Sequence, residues 1–214
     1  MPIKPANKTT KEHVSEILER FIRGANQISE THPELLSQLY DKYQVGEVDA
    51  ANLPSMIVER PEVDMREQNL FMFLEPTEDK KMLPLVTLCS SQEWRHFRIY
   101  ALLATADPDS GSVLQTLAVR FETDESHHTQ ENNVGAHDFC HAQLCNWISK
   151  HVQNVFPVWV PDSQPSIPLD ADSQVTLVLC MLTSLYGGTQ VRKKFGPSDK
   201  ALLEHLEKVR ALKR

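Results

Sequence analysis

Hydrophobic side chains recur every three or four residues near the start of the chain, and this spacing predicts an amphipathic helix. Its apolar positions run from Val14 to Ile28, after a capping threonine at position 9 or 10. A second, shorter helix is predicted to begin after Thr31 and to present an apolar face as far as Tyr43. The two segments together predict an N-terminal helical hairpin.

The middle of the chain is rich in the aliphatic and β-branched residues that strands prefer. Three segments and a weaker fourth share this character: 83–88, 97–104, 113–121 and, less strongly, 70–74. A turn-forming sequence at 106–111, which contains Pro108 and Gly111, joins two of them and predicts an antiparallel hairpin. The polar segment 122–135 that follows is expected to be an exposed loop.

The C-terminal part of the chain predicts three helices. The first covers residues 136–152, the second reaches Tyr186 after a cap at Asp170, Asp172 or Ser173, and the third runs from Pro197 onward. A proline-rich stretch at 157–168 separates the first two. Apolar residues surround the middle helix on all sides, which is typical of a central, buried helix. Glycines at positions 187 and 188 are expected to end it.

These elements predict an α+β fold: a small antiparallel sheet with a central hairpin packs against the N-terminal helical hairpin and three C-terminal helices. We expect a single domain over residues 1–214, because a helix that is apolar on every side needs neighbours on every side. An alternative boundary near residues 46–51 would detach the N-terminal helices.

The composition, with 41% hydrophobic and 24% charged residues, is that of a globular protein and argues against fibrous or wholly disordered classes. The net charge of −7 argues against a surface that binds nucleic acid or anionic lipid throughout. Four cysteines without a C-x-x-C pair, a polar start and short apolar runs predict a soluble, cytoplasmic protein with no membrane partner.

A candidate metal site falls on the predicted helix 136–152. His137 and His141 are one turn apart there, and Cys145 continues the row, so the three side chains are spaced to reach one zinc ion. His127 and His128, in the preceding polar segment, are further candidate ligands.

The same histidines have a structural interpretation, in which His137 and His141 are neutral, hydrogen-bonded residues of the core. The metalloprotease motif His-Glu-x-x-His is incomplete, because Asp138 stands where it requires glutamate. We therefore assign no cofactor, with zinc as the alternative.

Positive charge is concentrated at the C-terminal end. Residues 187–214 contain eight basic and three acidic residues, although the chain as a whole is acidic. Arg192, Lys193 and Lys194 are consecutive and are followed by Phe195. Cations, an aromatic side chain and neighbouring glycines in one segment are suited to a loop that docks on an acidic protein surface. The simpler interpretation is a solvated loop between helices, which Phe195 anchors to the core.

The motifs of common nucleotide-binding enzymes and serine hydrolases are absent from the sequence, and we assign no catalytic residue. The expected function is that of a non-enzymatic accessory subunit of a cytoplasmic assembly, which docks on a protein partner through the basic C-terminal region. Two alternatives stay open. One is a metal-dependent hydrolase or nuclease using His137 and His141, and the other is weak nucleic-acid binding through residues 192–194.

Overall fold

The computed structural model describes residues 9–23, 58–60, 72–77, 82–91, 96–106, 113–124, 140–144, 167–169, 171 and 173–211. These parts of the chain contain four helices and seven strands. In chain order they are α1 Thr10–Glu19, β1 Val58–Arg60, β2 Met72–Phe73, β3 Leu83–Ser91, β4 His96–Ala106, β5 Val113–Asp124, β6 Cys140–Leu144, β7 Ile167–Pro168, α2 Gln174–Tyr186, α3 Gly188–Lys193 and α4 Lys200–Ala211.

All seven strands of the described residues belong to one sheet, in the order β1-β3-β4-β5-β6-β7, and β2 pairs with the β3 edge that β1 also uses. Every pairing is antiparallel except that of β1 with β3. The predicted hairpin is confirmed, because β4 and β5 pair from His96 opposite Asp124 to Ala106 opposite Val113. The fold class is α+β, as predicted.

One face of the sheet packs against the helices, and α2 is the central one because it contacts α1, α3, α4 and β5. Its residues 175–179 and 181–183 are buried, whereas Ser184 is exposed. The prediction of a central helix is therefore confirmed. The apolar residues of this core that come from the sheet are Met72, Leu74, Val86, Leu88, Phe97, Ile99, Ala101, Phe121, Cys140 and Ala142.

Reciprocal side-chain caps define where two of the helices begin. At α1 the Thr9 hydroxyl accepts a hydrogen bond from the Glu12 backbone N–H, and the Glu12 carboxylate accepts one from the Thr9 N–H at 2.6 Å. Ser173 and Thr176 form the equivalent pair at α2. Each cap satisfies backbone N–H groups that have no partner within the helix, and so stabilises the predicted starting point.

The first helix is shorter than its apolar pattern predicts. α1 ends at Glu19, and the chain then joins the sheet, where Ile22 pairs with Leu74 and the Arg23 N–H donates to the Phe73 carbonyl oxygen. The helical prediction is wrong for these residues because backbone pairing with β2 satisfies their polar groups outside a helix. The second predicted helix and the alternative boundary at 46–51 lie outside the described residues.

Two further predictions are wrong in the middle of the chain. Residues 140–144 form strand β6 instead of part of a helix, and they alternate apolar and polar side chains, as a strand between a core and a polar face does. Residues 122–124 belong to β5 instead of an exposed loop, because all three pair with β4, and Glu122 and Thr123 also pair with β6. In both cases the pairing partner is distant in sequence.

No helix in the described parts of the chain is both long enough and apolar enough to cross a membrane.

Truncating the central helix should destabilise the fold. We expect Leu182→Ala, at a fully buried position of α2, to lower the free energy of unfolding by about 2–5 kcal/mol, because the cavity it leaves is lined by a packed core. Chemical denaturation measures this change. The control is Ser184→Ala on the same helix, which should stay within about 0.5 kcal/mol of wild type because Ser184 is exposed. Equal effects of the two substitutions would contradict the central position of α2.

Candidate functional site

The face of the sheet opposite the helices carries charged and polar side chains in two neighbouring rows. Arg98 on β4, Glu122 on β5 and His141 on β6 lie directly opposite one another in the register. The next row is Thr87, Tyr100, Arg120 and Gln143. Side chains two residues apart on a strand share a face, so both rows project to the same side.

Glu122 is the centre of this group, which we call the Glu122 cluster (Arg98, Arg120, Glu122 and His141). The Arg98 Nε donates a hydrogen bond to the Glu122 Oε1, and the Arg120 Nε lies 2.9 Å from Oε2. The His141 Nε2 lies 3.6 Å from the same Oε2. Glu122 and His141 are buried, at 3% exposure each, whereas the arginine side chains are 23% and 26% exposed. The carboxylate is therefore enclosed, and the two arginine side chains that contact it are partly exposed.

The environment keeps the Glu122 carboxyl ionised. Burial raises its pKa, because a charge loses hydration inside a protein. The interaction with His141 and the positive charges of Arg120 and Arg98 lower the pKa by more, from 4.5 to about 2. A carboxylate this acidic binds protons too weakly to act as a general base near neutral pH. Its chemical role is instead to hold and orient the two guanidinium groups.

The metal-site prediction is affected at His141. This residue lies on a strand, so the helical spacing that motivated the site is wrong there. Its Nε2 faces a carboxylate that two arginines already engage, and their positive charges oppose a divalent cation at that position. No group of three or more potential metal ligands occurs in the parts of the chain that the structure describes.

The other candidate ligands cannot be placed in this way. His127, His128, His137 and Cys145 lie outside the described residues. Zinc binding by these side chains stays a prediction.

The basic segment predicted to contact a partner is mostly helical, because α3 occupies residues 188–193. Arg192 and Lys193 are exposed there, and Arg192 forms an ion pair with the exposed Glu207 of α4. Lys194 is half-buried, and Phe195 is buried, at 8% exposure. The four candidate contact residues thus divide into two that face solvent and two that hold the segment to the protein.

Glu75 is the acceptor that holds Lys194. Its Oε2 lies 2.6 Å from the Lys194 Nζ and 2.5 Å from an Arg23 Nη, and its backbone oxygen accepts a 2.7 Å hydrogen bond from the Tyr186 hydroxyl. Phe21 stacks on the Tyr186 ring, with centroids 5.3 Å apart, and lies beneath the Lys194 ammonium. Burial and the Glu75 charge raise the pKa of Tyr186, so its hydroxyl remains a donor.

A second set of contacts joins the end of α1 to the segment between α3 and α4. Arg20 donates to both carboxylate oxygens of Asp199, at 2.9 and 2.7 Å, and to the Lys194 carbonyl oxygen at 2.7 Å. Its guanidinium lies 4.9 Å from the Phe195 ring centroid. Asp199 also accepts from the Gly196 N–H at 2.6 Å. Residues on either side of the exposed cations are therefore fixed by buried or half-buried contacts.

The Glu122 cluster was missed by sequence reasoning, although a signal was present. Arg98 and Arg120 interrupt predicted apolar strands, and Glu122 directly follows one of them. Charged residues at alternate positions of both strands of a hairpin indicate one polar face and predict cross-strand ion pairs.

Removing the charge of Glu122 should destabilise the protein and change its response to acid. We expect Glu122→Gln to lower the free energy of unfolding at pH 7 by about 3 kcal/mol, because it leaves two arginines without the carboxylate they share. The folded-state pKa lies below 4.5, so the ionised carboxylate stabilises the fold above that pH, and this contribution is lost as the pH falls toward about 2. The difference between wild type and variant should therefore shrink below pH 4.5.

Denaturant unfolding at a series of pH values measures both effects. Glu207→Gln is the matched control, because its ion pair with Arg192 is exposed, and it should cost less than about 1 kcal/mol. A wild-type and Glu122→Gln difference that stays constant from pH 7 to 3 would contradict the assigned charge state.

Comparisons of the chain with protein-family models, with curated proteins and with solved structures find no match.

Proposed function

We propose that the protein is a non-enzymatic accessory subunit of a cytoplasmic protein assembly, and that it docks on an acidic surface of a protein partner through α3 and α4. The observation that supports this most directly is the exposure of Arg192 and Lys193 on a helix whose other side is buried through Val191. Lys200, at the start of α4, is exposed as well.

Rigid presentation favours such a role. Lys194, Phe195 and Asp199 attach the chain on the C-terminal side of these cations, through the contacts with Glu75 and Arg20. A surface that is already ordered loses less conformational entropy on binding than a flexible loop does. The exposed cations are therefore better suited to a defined docking geometry than the loop expected from the sequence.

The neighbouring charges favour a protein partner over nucleic acid. Glu204 and Glu207 are exposed on α4, and Glu207 pairs with Arg192. A nucleic-acid backbone presents a continuous row of negative phosphates, which these carboxylates and the net charge of −7 oppose. A protein surface with acidic residues facing Arg192 and Lys193, and a polar or basic residue facing Glu204, avoids this repulsion.

Charge reversal tests this proposal. The tagged full-length chain is purified from its native host, and the stoichiometric copurifying protein is identified, purified and titrated against the chain by calorimetry. We expect Arg192→Glu/Lys193→Glu to weaken binding at least tenfold, because two attractive contacts become repulsive. Lys11→Glu, on α1 and outside the basic segment, is the control and should change the affinity less than threefold, about 0.6 kcal/mol.

Two results would overturn the proposal. One is unchanged affinity in the double reversal, provided that its melting temperature matches wild type. The other is saturable binding of a single-stranded RNA or DNA 20-mer by the wild-type chain that the same reversal abolishes, because this outcome would assign the cations to the nucleic-acid alternative.

Substitution of either of two adjacent lysines should affect a different property, stability for Lys194 and partner binding for Lys193. Lys194→Gln removes the ion pair with Glu75 and is expected to lower the free energy of unfolding by about 1 kcal/mol, whereas Lys193→Gln should leave it unchanged. Lys193→Gln should instead weaken partner binding. Thermal unfolding and calorimetric titration of both variants measure this contrast, and a larger loss of stability from Lys193→Gln would contradict the assigned orientations.

A further inference from the structure

Two cations meet at a single carboxylate oxygen, where the chain after α1 lies beside the end of α3. An Nη of Arg23 lies 2.5 Å from the Glu75 Oε2, and the Lys194 Nζ lies 2.6 Å from the same atom. The two nitrogens are therefore separated by less than twice that distance. We call these two side chains the Arg23–Lys194 pair.

The charge of this pair is only partly balanced. Glu75 supplies one negative charge for two positive ones, and no other carboxylate of the described residues forms an ion pair with Arg23 or Lys194. Like charges this close repel each other, and partial burial strengthens the repulsion because it lowers the local dielectric constant. The Arg23 and Lys194 side chains are 31% and 29% exposed. A second anion at this position would complete the compensation.

Both cations also retain hydrogen-bond donors. A guanidinium group carries five N–H groups and an ammonium group three. Within the described parts of the chain, the Arg23 guanidinium donates only to Glu75 and to the Ile22 carbonyl oxygen, and the Lys194 ammonium donates only to Glu75. The remaining donors belong to partly exposed side chains, so a solute can reach them.

The surrounding contacts hold the pair in position. The Tyr186 hydroxyl donates to the Glu75 backbone oxygen at 2.7 Å, and the Lys194 Nζ lies 5.6 Å from the Phe21 ring centroid. Arg20 donates to the Lys194 carbonyl oxygen at 2.7 Å. Donors that are ordered before a ligand arrives lose less conformational entropy when it binds.

We propose that Arg23 and Lys194 form a binding site for a phosphate group, carried by a small molecule or by a phosphorylated protein segment. A guanidinium group binds two phosphate oxygens through paired N–H donors, and phosphate has a further oxygen for the ammonium group. A carboxylate has only two oxygens, both of which the paired guanidinium geometry occupies. The site uses neither Arg192 nor Lys193, so it is independent of the docking proposed for α3 and α4.

Calorimetric titration of the full-length chain at constant ionic strength tests the site. The probes are inorganic phosphate, the capped tripeptide glycine-phosphoserine-glycine, and acetate. We expect saturable binding of at least one phosphate probe with a Kd of about 1 mM, and weaker binding of acetate. Tighter binding of the tripeptide would identify a phosphorylated protein segment as the source of the phosphate, and tighter binding of inorganic phosphate would identify a free ligand.

Substitution of Lys194 removes the excess positive charge. We expect Lys194→Gln to weaken phosphate binding about tenfold. The control Lys11→Gln removes the same charge in the first turn of α1, at the end opposite Arg23, and should leave the affinity unchanged.

A second variant keeps the test decisive if Lys194→Gln disturbs the fold. Arg23→Lys retains the charge beside Glu75 but loses the paired N–H geometry, so we expect a melting temperature close to that of wild type and about fivefold weaker phosphate binding. The proposal is overturned if neither phosphate probe binds saturably below about 20 mM, or if acetate binds as tightly as phosphate. It is also overturned if Arg23→Lys binds as well as wild type, or if Lys11→Gln weakens binding as much as Lys194→Gln.

Discussion

The ion pairs of Glu122 constrain the middle of the sheet, because they tie the register of three of its strands, β4, β5 and β6, to a single buried charge. The carboxylate is contacted by Arg98 from β4, by His141 from β6, and by Arg120, which lies two residues before it on β5. A slip of one residue in β5 would turn Glu122 toward the helices, where its neighbours would be apolar. An ionised group in that position has no compensating partner, so incorrect registers are far less stable than the observed one.

The two faces of the sheet therefore depend on each other. When Glu122 projects to the polar face, Phe121 must project to the helical face and join the core around α2. The same alternation places Cys140 and Ala142 of β6 against the helices while His141 joins the Glu122 cluster. A single polar contact and the apolar packing behind it thus favour the same arrangement, which is the consistency expected of a foldable sequence.

Local signals narrow the caps of α1 and α2 to two or three candidate residues each, and they predict the β4–β5 hairpin. The threonine and serine caps use partners only three residues away, and the turn residues lie between the two strands they join. What the sequence could not show depended on distant partners. Ile22 leaves the helical pattern because Leu74 pairs with it, and Cys140–Leu144 is a strand because β5 is beside it.

The candidate site also combines features that local sequence indicates with features that depend on distant contacts. The basic segment is recognisable in the sequence as three consecutive cationic residues. Only the contacts with Glu75 and Arg20 distinguish its exposed cations from Lys194, which they hold in place. The prediction that glycine ends α2 is confirmed at Gly187, yet α3 begins at the next residue, because Gly187 leaves the helical conformation at a φ of 78°, which glycine adopts without strain. Glu122 was assigned to a loop because polar residues follow it, and only its cross-strand partners reveal a buried position.

The three consecutive cations Arg192, Lys193 and Lys194 carry the same formal charge, but they differ in how far neighbouring carboxylates compensate it. Lys194 is held in a half-buried ion pair by Glu75, which Arg23 also contacts, and Arg192 forms an exposed ion pair with Glu207. Lys193 and Lys200 therefore contribute most of the uncompensated positive charge among the exposed described residues of α3 and the start of α4. Such exposed charges are screened within about 10 Å at moderate ionic strength, so the docking that we propose for this surface would depend on close contact and not on long-range attraction.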